Sequence, residues 1–222
     1  HALKVLRLKR GALVIVVDGT GNAYRGSIER ISAARVVIRV HAELRNFGEP
    51  GVRLTLAAGM SVGCKPDEVV QRATELGMKR FVPILSDKSK VELSEPSRIR
   101  SRVRRLERVA LSAIKQCRRS YLPEIAVPCT LEDFLARQNE DDCKLLFDPG
   151  PDTVPLDAIE LGDGIKRVTV LVGPESGFSS AEVEQALSAG FRAVSLGDRV
   201  LRADTAGPAA VALVMYRLGE FK

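Results

Sequence analysis

Two glycine-bearing segments in the C-terminal half have the composition of ligand-binding loops. Gly173-Pro174-Glu175-Ser176-Gly177 follows the apolar run Val168 to Val172 and precedes Ser179-Ser180-Ala181-Glu182, the pattern of a reciprocal helix cap. Gly197-Asp198-Arg199-Val200-Leu201-Arg202-Ala203-Asp204-Thr205-Ala206 follows a second apolar run, and Asp148-Pro149-Gly150-Pro151 follows a third. Glycine lets backbone amides approach a ligand closely. In open α/β sheets, ligands bind at the carboxyl ends of strands. Three such loops in one half-chain point to one shared pocket, the alternative being three unconnected tight turns.

The standard nucleotide and hydrolase signatures are absent. There is no G-x-x-x-x-G-K-[ST] segment, and Gly19-Thr20-Gly21 has Tyr24 where a dinucleotide fingerprint needs its third glycine. Ser176 is no nucleophile elbow, since Pro174 and Phe178 stand where the flanking glycines would be. The only histidines are His1 and His41, which disfavours serine–histidine or cysteine–histidine chemistry. Cys64, Cys117, Cys129 and Cys143 show no C-x-x-C spacing, so no metal is expected. Such scattered cysteines read as reduced thiols in a cytoplasm.

The elements that must position these loops follow from periodicity. From Val52 onward strands alternate with helices: strands at 54–58, 81–85, 144–148, 168–172 and 193–196, and helices at 67–76, 98–117, 131–137, 179–189 and 205–218. Gly77 and Gly190 stand as helix stops. This rhythm predicts an α/β domain over 52–222 with a mostly parallel sheet covered by helices. Residues 1–48 read differently. Leu13 to Val17 precedes the hairpin pair Asp18-Gly19, and Arg35 to Val40 forms a further strand, as in part of a small β-barrel. Asn46 to Gly51 is rich in turn formers and reads as a linker.

The net charge is +6, and between Arg98 and Arg119 nine basic residues face Glu107 alone. Such a cluster attracts a polyanion through counterion release, although a solvated helix face has the same composition. No apolar run approaches the ~20 residues of a membrane span, and the start lacks the apolar stretch of a signal peptide.

These segments together resemble the RsmE-type methyltransferases, enzymes of the SPOUT superfamily that methylate uridine N3 in 16S small-subunit ribosomal RNA. Val170 to Phe178 is similar to the family's GPEGG segment, and Leu196 to Ala206 to its LG-x-R-[IV]-LR-x-ET-A segment. Gln71 with Glu75-Leu76-Gly77, and Gln116 to Ser120 with Leu122-Pro123-Glu124, resemble two further family segments. Val5-Leu6-Arg7-Leu8 with Gly11 and Asp18-Gly19 resembles the opening of its RNA-binding barrel. There are departures. Ser176 replaces the middle glycine of GPEGG, Ala203-Asp204 replaces Thr-Glu, and Lys115 replaces the Glu before Gln116. Serine at 176 requires a negative φ or some strain.

The resemblance implies a PUA-like barrel, begun upstream of His1, followed by a trefoil-knotted SPOUT domain that works as a homodimer. It implies S-adenosylmethionine (SAM) as cofactor, held by Phe147 in one loop, Val172, Gly173, Pro174 and Gly177 in a second, and Leu196, Gly197, Val200, Leu201 and Arg202 in a third. Uracil N3 must lose a proton, so the site needs an acceptor or cations. Arg119 and Arg202 are the cationic candidates, and Glu175 and Asp204 the acceptor or orienting ones. Arg7, Lys9, Arg98, Arg102, Arg105 and Arg119 are expected to contact RNA, with the small ribosomal subunit as partner. The homodimer is expected to use the closing helix through Ala206, Ala209, Ala210, Leu213 and Val214, with Pro208 confined to its first turn. Other readings are a non-catalytic RNA-binding or assembly factor, and a SPOUT enzyme acting on tRNA or a ribose 2′-hydroxyl.

Overall fold

The computed structural model describes residues 8–32, 35–60, 65–89, 95–138, 142–162 and 164–221. The chain divides into a smaller unit of residues 1–49 with 114–122 and a larger unit of residues 50–113 with 123–222.

In the smaller unit, β1 (Leu13–Val17), β2 (Asn22–Ile31) and β3 (Val36–Arg45) form an antiparallel sheet in that order. Asp18 closes the β1–β2 turn. Its carboxylate accepts the Thr20 N–H at 2.7 Å and the Asn22 side-chain amide at 2.8 Å. Bonds from the Asn22 side chain, then the Thr20 backbone, pull its carboxyl down to about 2. Residues 114–122, which periodicity places inside the second domain, pack with this unit. Ser120 donates its N–H to Phe47 O at 3.0 Å, its carbonyl accepts from Gly21 N at 3.0 Å, and Leu122 N–H donates to Gly19 O at 2.8 Å. Arg118 takes up a φ of 63°, the left-handed turn that ends the long helix before this stretch.

The larger unit is a parallel α/β sheet, as the alternation predicts. Its strands are β4 (Arg53–Gly59), β5 (Arg80–Leu85), β6 (Glu124–Ile125), β7 (Cys129–Thr130), β8 (Cys143–Phe147), β9 (Val154–Pro155), β10 (Arg167–Val172) and β11 (Arg192–Ser195). The order is β6-β5-β4-β10-β8-β11-β9, with β7 also on β5, and every pairing is parallel. The helices are α1 (Pro66–Glu75), α2 (Pro96–Cys117, of which residues 114–117 belong to the smaller unit), α3 (Leu131–Ala136), α4 (Ser180–Ser188) and α5 (Ala203–Arg217). Central strands read as near-continuous apolar runs because helices bury both faces. Ala57, Val82, Leu146 and Leu171 pack with Leu131 and Phe134 of α3, Ala186 of α4, and Phe178 and Phe191. Helix α5 packs on β4, β10 and α1.

Two features of α5 differ from expectation. The helix begins at Ala203, so Pro208 lies inside it, past the first turn, and the amide that would bond Asp204 O is missing. Ala206, Ala210 and Val214 are buried within the chain, leaving Leu213 and Tyr216 as its exposed apolar residues. The expected docking face therefore contributes largely to this chain's own core.

The order of the sheet brings three strand ends together. Strand β10 enters between β4 and β8 with Val172 beside Phe147, and β11 lies on the far side of β8 with Val194 beside Phe147.

Candidate active site

The loops after β8, β10 and β11 converge on one cleft of about 590 Å³, open to solvent. Phe147, Val172, Gly173, Pro174, Gly177, Leu196, Gly197, Val200 and Leu201 line it, nine of the ten residues expected to hold a cofactor. Each loop has its own local cause. After β8, Asp148 turns its carboxylate back to accept the Gly150 N–H at 2.7 Å. After β10, Gly177 bonds Pro174 O at 2.8 Å and takes a φ of 68°. Ser179 then starts α4 with a complete capping box, in which its hydroxyl accepts from Glu182 N and Glu182 accepts from Ser179 N. After β11, Gly197 has a φ of 90° and donates its N–H to Ser195 Oγ at 2.9 Å.

The glycines have distinct reasons. A Cβ at Gly59, the last residue of β4, would lie 2.4 Å from Pro174 N and Cδ, so a close approach fixes that position. A Cβ at Gly197 or Gly177 would meet nothing within 4 Å; there the left-handed backbone, not crowding by protein atoms, requires glycine. Ser176 is not among the positive-φ residues, so serine sits in the GPEGG-like segment without backbone strain.

The charged candidates separate. Glu175 is exposed on the cleft wall. Arg202 and Asp204 do not line it. Arg202 is the exposed residue preceding α5, with its carbonyl accepting from Thr205 N and Ala206 N, and Asp204 is half-buried in the first turn. The two form no ion pair with one another among the described residues. Sequence reasoning passed over Arg199, Ala203 and Ala206 as wall residues, although all three stand in the segment it quoted.

Arg119 requires a correction. The expectation of direct nucleotide or phosphate contact does not fit its surroundings. Its side chain is 3% exposed, and its guanidinium donates to Glu49 at 2.8 Å, a carboxylate itself 2% exposed. Glu49 also accepts the Tyr121 N–H at 2.8 Å. A cation closed off in this way organises the chain around it and is not presented to a substrate.

The other expected RNA contacts are distributed as follows. Lys9, Arg98, Arg102 and Arg105 are exposed. Arg98 pairs with Glu95 at 3.1 Å and Arg105 with Asp67. Arg7 lies outside the described residues. Among the described residues, no acidic, histidine or cysteine cluster could hold a metal, and no helix is long and apolar enough to cross a membrane.

The profile of the RNA methyltransferase domain matches residues 48–215, which contain the whole cleft, and that of the RNA methyltransferase PUA domain matches residues 1–40. Ribosomal RNA small subunit methyltransferase E of Aquifex aeolicus is 34% identical, over 88% of this chain and 82% of the relative. The chain belongs to the RsmE family of RNA methyltransferases. The RsmE of Buchnera aphidicola is 26% identical over 100% of this chain and 86% of its own. A crystal structure of Neisseria gonorrhoeae RsmE bound to S-adenosylmethionine superposes with a TM-score of 0.89 at 28% identity, covering 99% of this chain and 89% of that one. Within the RsmE family frame, the small antiparallel sheet belongs to the PUA-domain region and the parallel sheet to the methyltransferase domain.

Proposed function

We propose that this chain transfers a methyl group from SAM to N3 of a uridine in 16S small-subunit ribosomal RNA. The observation that carries this reading is the convergence of the three loops after Phe147, Val172 and Ser195 on one cleft, in a chain of the RsmE family. The cleft suits SAM in its lining. Phe147, Leu196, Val200 and Leu201 give it apolar walls, and the open space beside Gly177 and Gly197 leaves room for a ligand against the main chain. When bound, SAM supplies an electrophilic methyl group on a sulfonium. The family resemblance also carries the threading of the chain at these loops, a homodimer and a cytoplasmic setting.

The chain's own residues must handle the N3 proton. As the N3–methyl bond forms, the methyl–sulfur bond would break to leave a neutral thioether, the N3–H bond breaks, and negative charge develops transiently on the uracil. Glu175, which lines the cleft, is the candidate acceptor of the proton, and Asp204, in the first turn of α5, the candidate for an orienting role. Arg202 is an exposed cation in the same cofactor loop, between the lining residues Leu201 and Ala203, and is the candidate to stabilise charge on the uracil. N3 lies on the Watson–Crick edge, so a paired target would have to be unstacked or unpaired first, costing a few kcal/mol.

Two measurements test this. Calorimetry of the full chain should show SAM binding, and Gly197→Val should abolish it, because a branched side chain strains a φ of 90° and fills the approach to the ligand. Absence of binding to the wild type would remove the cofactor reading. The exposed arginines of α2 should grip phosphate. In an Arg98→Ala/Arg102→Ala/Arg104→Ala variant, each lost contact should flatten the slope of log affinity against log salt by about 0.7–0.9, leaving SAM affinity unchanged. An unaltered slope would show this face to be solvated surface only.

A further inference from the structure

The loop Gly173–Phe178 is tied to a short turn that the cofactor reading does not use. Ser86–Ser89 follows β5 and is closed by Ser89 N–H donating to Ser86 O at 2.8 Å. Strands β5 and β10 are not neighbours, because β4 lies between them. The turn nevertheless reaches the loop after β10. Lys88 Nζ donates to Phe178 O at 3.0 Å and to Ser176 O at 3.3 Å. Glu182 is 4% exposed, and its carboxylate accepts the Asp87 N–H at 2.9 Å as well as the Ser179 N–H at 2.7 Å. Ser179 Oγ donates to Asp87 Oδ2 at 3.1 Å. Ser89 Oγ donates to Met60 O at 2.7 Å, which secures the turn just beyond β4. Gly59 ends β4 directly against Pro174, where any side chain would collide.

We infer that the Ser86–Ser89 turn braces the Gly173–Phe178 loop and that Lys88 is its positioning residue. The loop has two glycines and a single internal backbone bond, from Gly177 to Pro174, to hold its shape. Such a segment loses considerable conformational entropy when it is fixed against a ligand. An ammonium has several donors and no acceptor, so one lysine can hold two carbonyls two residues apart. Fixing the carbonyls of Ser176 and Phe178 in advance leaves less ordering to be done on binding. Glu182 anchors the far side of the brace with a bond to each segment. An amide in its place would turn an N–H₂ group toward one of the two N–H donors.

The test compares the full-length wild type with Lys88→Met and Lys88→Arg, and it rests on the cofactor reading only in its binding arm. The first readout is hydrogen exchange at the Gly177 amide without ligand. The second is SAM affinity by calorimetry, and the third is melting temperature. Lys88→Met should speed exchange at Gly177 and weaken SAM binding, each by about tenfold, the loss of charge-assisted bonds to two carbonyls. Melting temperature should stay near wild type, because Lys88 is exposed. Lys88→Arg should restore both, since a guanidinium also donates to two acceptors. Unchanged exchange at Gly177 in Lys88→Met would overturn the inference, as would an arginine variant no better than methionine. A wild type that fails to bind SAM would remove the cofactor reading, and the exchange arm would still decide the brace.

Discussion

Arg119→Met is expected to destabilise the protein by about 3–5 kcal/mol, the loss typical of removing one partner from a buried ion pair. The variant removes the Arg119 guanidinium from the Glu49 carboxylate, which is 2% exposed and still receives the Tyr121 N–H. Thermal and urea melts of the wild type, Arg119→Met, Glu49→Gln and the double variant would measure this. The double variant should recover part of the loss, because it removes both buried charges together. Salt should change the wild-type stability little, as a pair this buried is poorly screened. If Arg119 instead faced RNA, Arg119→Met would melt like the wild type and lose RNA affinity. The pair joins Glu49, within the linker segment, to the stretch just after α2, 70 residues away. It therefore specifies how residues 114–122 lie against the small sheet.

Arg202→Ala is expected to lower the single-turnover rate of methyl transfer about 10²-fold at saturating RNA and SAM, comparable to losing one preorganised donor. The uracil carries no charge before N3 loses its proton, so a cation that stabilises it would interact mainly in the transition state. Removal of such an interaction lowers the rate and leaves ground-state binding nearly intact. SAM affinity should stay near wild type, since the Arg202 side chain is not part of the cleft wall. Its backbone carbonyl, which accepts the first bonds of α5, is retained by alanine. A wild-type rate would remove Arg202 from the chemistry and shift attention to Arg199, the arginine that does line the cleft.

The positions of these residues were legible to different degrees. The start of α4 could be read to the residue, because Ser179 and Glu182 satisfy each other's backbone donors locally. The cleft loops were legible because strand ends and glycines mark them in one stretch of chain. Strand β2 was missed. Its sequence, with Arg25, Gly26, Ser27, Glu29 and Arg30 in ten residues, has no apolar run, and register shifts at Arg25/Gly26 and Ile28/Arg30 break its alternation. Strands β6, β7 and β9 have two residues each and exist through pairing with β5 and β11, which no local pattern encodes. Arg119 was misjudged because it closes a run of arginines whose other members are mostly exposed, while the carboxylate that buries it is distant in sequence. Pro208 was misplaced because helix α5 starts two residues earlier, at Ala203, where the loop offers no capping side chain to mark the start.

The most direct test of the central claim is a methylation assay with SAM carrying a labelled methyl group. It should be offered 16S ribosomal RNA, assembled small subunits and tRNA, with nucleoside analysis of the product. Label recovered as N3-methyluridine from the small-subunit substrates, and lost with Gly197→Val, is the predicted result. Label in tRNA or on a ribose hydroxyl, or SAM binding without transfer to any RNA, would contradict the assignment.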